Sequence, residues 1–199
     1  MPSKHQRTIY EIAEGQHGYF TAAQAVAAGV PSAHLPDMLR RRVVERISRG
    51  VYRLVDFPRA PTAQLMEATL WPASHREDNR GVLSHESALA FHRISDVSPS
   101  HVHITVPGGV RIRRAVPRYL RIHRGDLPAS DIEWREGIPV TTAARAIRDC
   151  HAEHLGPALV RQAIQDGRRL GELTTREAAT LTAELLEAPA DASGQPISR

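Results

Sequence analysis

The positions of the apolar residues in the N-terminal third of the chain first predict two helices. In residues 5–14 the apolar side chains recur at the spacing of one helix face. Thr21 then stands as an N-cap before a second helix that consists largely of alanine, and Gly29 follows as its terminator. We therefore expect two short helices that pack closely.

A third helix and a hairpin follow. Ser32 is placed to cap this helix, although Pro36 predicts that its regular turns begin only near Leu35. Residues 43–54 contain two β-favouring segments that flank Ser48-Arg49-Gly50, a pattern typical of a β-hairpin. Three helices followed by a basic hairpin predict a winged helix-turn-helix.

The proline-rich segment at residues 57–61 predicts a boundary, so that residues 1–60 form the winged helix-turn-helix domain. Residues 61–187 predict a mixed α/β domain, and residues 188–199 lack core-forming content and predict a disordered tail. The expected fold class is therefore α+β. The predicted elements after the boundary are helices at 63–71, 85–94, 143–150, 155–167 and 174–187, and strands at 101–106 and 118–123.

Four polar side chains in the second part receive structural interpretations. Ser84 is predicted to cap the helix that begins at His85, and Thr141 or Thr142 to cap a later one. Arg145 and Asp149 lie at a helical i, i+4 spacing that supports this later helix. The single cysteine, Cys150, excludes an internal disulfide and is predicted to lie in the core.

The positive charge is concentrated at the start of the chain. Residues 1–60 hold nine Lys/Arg against five Asp/Glu, whereas the remaining residues hold seventeen of each. Such a localised surplus is typical of a nucleic-acid-binding module, although a solvated helix end is the alternative. The candidate base-reading residues are Ser32, His34 and Asp37, and the candidate phosphate contacts are Arg40, Arg41, Arg49 and Arg53.

A second basic patch lies between residues 111 and 124, where six arginines occur without an acidic residue. It could contact DNA or another polyanion, or it could be a solvated sheet face, and the sequence does not decide between them. The patch consists of Arg111, Arg113, Arg114, Arg118, Arg121 and Arg124.

Eleven histidines raise the question of a metal site. The pairs His101/His103 and His151/His154 each share a face, but neither a cysteine pair nor an HExxH motif accompanies them. We therefore expect no metal and no other cofactor. The carboxylate-lysine cluster of a nuclease, the paired aspartates of a nucleotidyltransferase and a P-loop are also missing from the sequence, so the prediction is a protein that is not an enzyme.

Several motifs together resemble the AbiEi antitoxin family. The N-terminal ones are Gly18-Tyr19-Phe20-Thr21, Gly29-Val30 and Arg49-Gly50-Val51-Tyr52. The segments GVLSHESALAFHRI, HVHITVP and GIPVTTAARAIRDC follow in the order expected for that family, so the resemblance spans about residues 15–170. Arg42 departs from it, because a glycine is common at this position before the wing.

The resemblance implies a cytoplasmic DNA-binding autorepressor of a two-gene operon that binds inverted repeats in its own promoter. It also implies an antitoxin that counteracts a nucleotidyltransferase-like toxin, without requiring a stable complex between the two proteins. The alternatives are a winged-helix transcription factor without a toxin partner and a nuclease-related DNA-processing protein. The longest apolar runs are short, so no membrane partner is expected.

Overall fold

The computed structural model describes residues 3–74 and 76–187, so the predicted tail at 188–199 lies outside the described residues. The fold is mixed α/β with two sheets. Its N-terminal region is helix-turn-helix-like and ends in a hairpin. The elements of this region are α1 (Lys4–Glu14), β1 (Tyr19–Thr21), α2 (Ala22–Ala27), a 3₁₀ turn (Ser32–His34), α3 (Leu35–Arg40), β2 (Val44–Ser48) and β3 (Val51–Leu54).

The N-terminal helices follow the sequence prediction closely. Thr21 caps α2 through a capping box with Gln24, and Gly29 adopts a φ of 80° just after the helix, which a glycine does without strain. The regular helix α3 begins at Leu35, as Pro36 predicted. Strand β1 was not predicted; it pairs antiparallel with β3, which lies in the middle of the sheet order β1-β3-β2.

The core of this region lies between the helices and the small sheet. Ile9 from α1 and Phe20 from β1 are completely buried. The ring of Tyr52 stacks on Phe20 with centroids 5.5 Å apart, so Tyr52 packs in the core. The complete cluster is Ile9, Ala13, Phe20, Ala25, Val30, Leu35, Met38, Val44, Tyr52 and Leu54.

The rest of the chain forms a five-stranded mixed sheet with the order β6-β5-β4-β8-β7. Pairing is parallel in β5–β6 and β4–β8 and antiparallel in β4–β5 and β7–β8. The strands are β4 (Val82–Leu83), β5 (Val102–Val106), β6 (Leu120–Arg124), β7 (Ile132–Arg135) and β8 (Ile138–Thr141). The helices are α4 (Ala63–Leu70), α5 (His85–His92), α6 (Ala143–Ala152), α7 (Pro157–Leu170) and α8 (Thr175–Thr182), which continues as a π-helical segment (Ala183–Glu187).

Short 3₁₀ turns at Pro72–Ser74, Glu77–Asn79 and Ala129–Asp131 connect these elements. Cys150 is buried as predicted, and Thr142 caps α6 by accepting the Arg145 amide. The predicted pair of Arg145 and Asp149 is formed at 2.8 Å, and Arg145 also contacts Asp131. No helix within the two described segments combines the length and apolar character needed to cross a membrane.

Contacts join the two parts of the chain on both sides of the predicted boundary. Helix α4 contacts β1 as well as β5 and β8, and Tyr19 and Val51 belong to the larger core. The Arg80 guanidinium donates to Gln16 Oε1 at 2.8 Å and to the Gly137 carbonyl at 3.1 Å. The small sheet is therefore anchored on the larger one through α4 and Arg80.

Ser84 occupies the N-cap position of α5, but its side chain does not cap the helix, so the capping prediction was wrong. His85, the first residue of the helix, has a left-handed backbone with φ of 54°. The hydroxyl instead lies 2.9 Å from His85 Nδ1 and accepts a hydrogen bond from Thr105.

Candidate nucleic-acid interface

The N-terminal end of α3 presents two of the predicted base-reading side chains. The side chains of Leu35 and Met38 point into the core, which leaves Ser32 and His34 exposed ahead of the helix. Ser32 does not cap the helix as predicted, because it lies inside the 3₁₀ turn and its side chain makes no capping hydrogen bond. The His34 ring lies against His5 of α1, with centroids 4.2 Å apart.

The arginines at the end of α3 are exposed but not isolated. Arg40 and Arg41 are 76% and 68% exposed, and each forms an ion pair with Asp37. Asp37 is half-buried and therefore serves as a local counter-ion.

The backbone conformation between α3 and β2 shows what Arg42 does at a position where the AbiEi family commonly has a glycine. This residue has a φ of 56°, in the left-handed region where a glycine is unstrained. Arg42 therefore accepts a strained conformation and keeps the turn that a glycine would make. The hairpin beyond it turns at Gly50, with a φ of 80°, and leaves Arg49 exposed at the tip.

Arg53 is not available for phosphate, which corrects its assignment as a contact. Its side chain is 3% exposed and pairs with Glu45 at 3.1 Å. The guanidinium also donates to the Phe57 carbonyl and lies 5.9 Å from the Tyr19 ring centroid. The residue lies in the central strand of the small sheet, whose four side chains are all buried. Arg53 therefore holds the hairpin together.

The second basic patch approaches the hairpin tip. A surface groove of about 530 Å³ separates the hairpin tip from the segment before β6. Five arginines line it, with Trp71 at its wall. Because no carboxylate is among the described residues that line it, the groove suits an anionic backbone. The lining arginines are Arg49, Arg76, Arg111, Arg113 and Arg114.

Arg114 connects Trp71 and Arg49, which both line this groove. Its guanidinium stacks on the Trp71 ring at 3.8 Å from the centroid and donates to the Arg49 carbonyl at 2.7 Å and to the Trp71 carbonyl. Burial, and then repulsion from Arg49, lowers the pKa of Arg114. Its donors are directed to backbone carbonyls, so Arg114 positions the hairpin tip, whereas Arg111 and Arg113 remain exposed.

The other members of the patch do not line the groove. Arg121 and Arg124 lie on β6, the edge strand of the large sheet, and Arg118 lies just before it. All three are exposed. The structure therefore divides the second basic patch into two groups of arginines, of which only the first, at residues 111–114, lines the groove.

Comparisons with known proteins bear on the N-terminal region. Residues 7–55 match the sequence model of the family described as transcriptional regulator, AbiEi antitoxin, which confirms the resemblance over that segment. No curated protein is significantly similar in sequence. The crystal structure of the RV2827C protein from Mycobacterium tuberculosis superposes over 92% of this chain and 72% of that one, with a TM-score of 0.49 and 13% identity.

Proposed function

We propose that this protein is a non-enzymatic DNA-binding repressor of its own promoter and an antitoxin against a nucleotidyltransferase-like toxin. The observation that carries the proposal is the groove in which Arg49 of the hairpin lies together with Arg111 and Arg113 of the segment between β5 and β6. The family match covers the helices and the hairpin beside this groove, and it supports a regulatory role.

In this proposal the N-terminal region works as a winged helix-turn-helix. Helix α3 enters the major groove, and the exposed Ser32 and His34 at its start face the base edges. Arg40 and Arg41 at its far end, and Arg49 at the wing tip, contact phosphates and position the helix. Contacts of this kind release counterions and make binding sensitive to salt.

Arg111 and Arg113 extend the phosphate-binding surface beyond residues 1–60. They line the same groove as Arg49. Arg114, from the same segment as Arg111 and Arg113, donates to the Arg49 carbonyl and so joins this segment to the hairpin tip. We therefore place the DNA backbone between the wing tip and the segment that precedes β6. Arg118, Arg121 and Arg124 remain outside this surface.

The first experiment is an electrophoretic mobility shift on the protein's own upstream region at two salt concentrations. Arg49→Ala and the double variant Arg111→Ala/Arg113→Ala should each weaken binding and reduce the salt slope by about 0.9 per lost phosphate contact. Arg161→Ala is the matched control, because Arg161 is an exposed arginine on α7 far along the chain. Failure of the wild-type protein to shift this DNA, or equal losses in the control, would refute the proposed interface.

The antitoxin role is proposed for residues 61–187, which carry most of the chain and a balanced charge. It rests on the family resemblance and assumes no stable complex with the toxin. Because contacts cross the predicted boundary, the full-length protein is the right reagent for testing it.

The second experiment co-expresses the product of the adjacent gene with full-length variants from an unrelated promoter. Rescue of growth by Arg49→Ala/Arg111→Ala/Arg113→Ala, which should not bind the operator, would support a separate protective activity. If only DNA-binding variants rescue growth, protection works through repression alone. A neighbouring gene that encodes no nucleotidyltransferase would favour a transcription factor without a toxin partner.

A further inference from the structure

Three histidines from three separate elements meet at one side of the large sheet. They are His85 at the start of α5, His103 on β5 and His123 on β6, and Glu153 joins them from the end of α6. The rings of His85 and His123 are stacked with centroids 3.6 Å apart. Glu153 Oε1 lies 3.0 Å from His123 Nδ1 and 4.0 Å from His85 Nε2. Two imidazole nitrogens and one carboxylate oxygen thus lie within 4.8 Å of one another.

The opposite nitrogen of each of these two rings has a partner of its own. His85 Nδ1 lies 2.9 Å from the Ser84 hydroxyl, whose position is fixed in turn by Thr105. His123 Nε2 lies 3.1 Å from His103 Nδ1. Metal-bound histidines almost always donate their second N–H to such a partner, which orients the ring and selects the tautomer. Both outer partners are therefore already in place.

A small cavity of about 180 Å³, lined by His85, Glu153 and His154 among others, leads from the surface to the carboxylate.

A second cluster in the described residues differs in that an arginine already pairs with its carboxylates. His92, Glu133 and Glu172 also lie within 4.8 Å of one another. There, however, Arg135 forms ion pairs with both carboxylates and supplies the positive charge. No arginine or lysine forms an ion pair with Glu153 among the described contacts, and its charge faces the two histidines.

We propose that His85, His123 and Glu153 bind a divalent transition-metal ion of the Zn²⁺ class, with Ser84 and His103 as outer partners. Two imidazoles and one carboxylate form a ligand set that Zn²⁺ accepts, and the cavity leaves a further position for water. On binding, neutral His123 takes the tautomer in which its single ring proton is on Nε2 and donates to His103 Nδ1, so that the Nδ1 lone pair faces the ion and no proton is lost from the ring. The stacked rings tilt so that their lone pairs converge on the ion. This site departs from the sequence expectation that no metal binds.

The test uses full-length protein without a histidine tag, stripped by a chelator and titrated with Co²⁺. One equivalent should bind with visible d–d absorption, and Zn²⁺ should displace it. Glu153→Gln and His123→Asn should lose more than the roughly 10–100-fold in affinity that removal of an outer partner costs. Ser84→Ala should fall within that 10–100-fold range. His101→Asn is the matched control, because His101 is an exposed histidine just before β5 and outside the cluster.

Thermal unfolding of each variant separates loss of the site from loss of the fold. Glu153 is 39% exposed, so Glu153→Gln should fold even if a histidine variant does not. Wild-type protein that binds no Co²⁺ at a large molar excess of the ion would overturn the proposal. Equal Co²⁺ affinity in Glu153→Gln and His101→Asn would overturn it as well. Neither result depends on DNA binding, so the proposed function is tested separately.

Discussion

At the scale of single residues, Arg49 and Arg53 lie on the same hairpin in opposite environments. Arg49 is exposed at the tip, whereas the Arg53 side chain is 3% exposed and bonded to Glu45 and the Phe57 carbonyl. Arg49→Ala should weaken DNA binding and leave the free energy of unfolding within about 0.5 kcal/mol of wild type. Arg53→Ala should instead lower that free energy by on the order of 2 kcal/mol, because the buried Arg53 side chain is lost together with its hydrogen bonds to Glu45 and the Phe57 carbonyl.

Urea unfolding and the salt slope of DNA binding distinguish the two variants. The folded fraction of Arg53→Ala should keep the wild-type slope. A reduced slope for folded Arg53→Ala would restore this residue to the contact surface.

The pair of Glu172 and Arg135 gives the stability a dependence on pH. Hydrogen bonds from Arg135 hold the pKa of Glu172 below its usual value. Such a group stabilises the fold above the pKa of the unfolded chain, near 4.5, and this contribution is lost as the pH falls through the lower folded value. Glu172→Gln should therefore be less stable than wild type by about 1 kcal/mol at pH 7, and the difference should shrink toward pH 3.

Urea unfolding at several pH values measures this difference. Glu187→Gln, which removes an exposed carboxylate in the C-terminal helical segment, is the control. A difference between Glu172→Gln and wild type that is constant over the same pH range would contradict the assignment.

At the scale of elements, the turn between α3 and β2 contains strain that one substitution can remove. Arg42 has a φ of 56°, whereas its neighbour Arg41 has a φ of −79°. A non-glycine residue in the left-handed region costs about 1–2 kcal/mol, partly offset by the greater freedom of glycine in the unfolded chain. Arg42→Gly should therefore raise the midpoint of thermal unfolding.

Arg41→Gly removes the same charge at a position with ordinary backbone, and it should lower that midpoint. Arg41→Gly also removes a proposed phosphate contact and should bind DNA more weakly than wild type. Effects of the same sign on stability would show that the turn is not strained at Arg42.

The helices could be predicted better than the strands. Thr21, Gly29 and Pro36 mark helix ends through local chemistry, and all three predictions match the structure. Strands β1 and β4 are only three and two residues long and have no alternation to detect. Strand β3 is buried on both faces, so the polarity of Arg53 misled the prediction of its exposure.

At the scale of the whole molecule, the candidate sites depend on contacts between distant segments. The charge surplus predicted a basic surface in residues 1–60, but only the fold brings Arg111 and Arg113 to the groove beside Arg49. Each histidine pair chosen from the sequence was predicted to share one strand or one helix. The cluster that forms takes His85, His103 and His123 from separate elements, and no local spacing could reveal it.

The joint between the two parts of the molecule can be tested at Gly137, in the tight turn between β7 and β8. Gly137 has a φ of 74°, and a Cβ there would lie 2.2 Å from the Gly15 carbonyl oxygen after α1. Gly171 has nearly the same φ, 78°, but nothing lies within 4 Å of its Cβ position.

Gly171→Ala should therefore cost only the backbone strain of about 1 kcal/mol. Gly137→Ala carries the same strain and must also push the N-terminal region away from the large sheet, so its free energy of unfolding should fall by at least about 2 kcal/mol. Urea unfolding followed by tryptophan fluorescence measures both losses, and equal losses would show that the two parts are not in tight contact at this point.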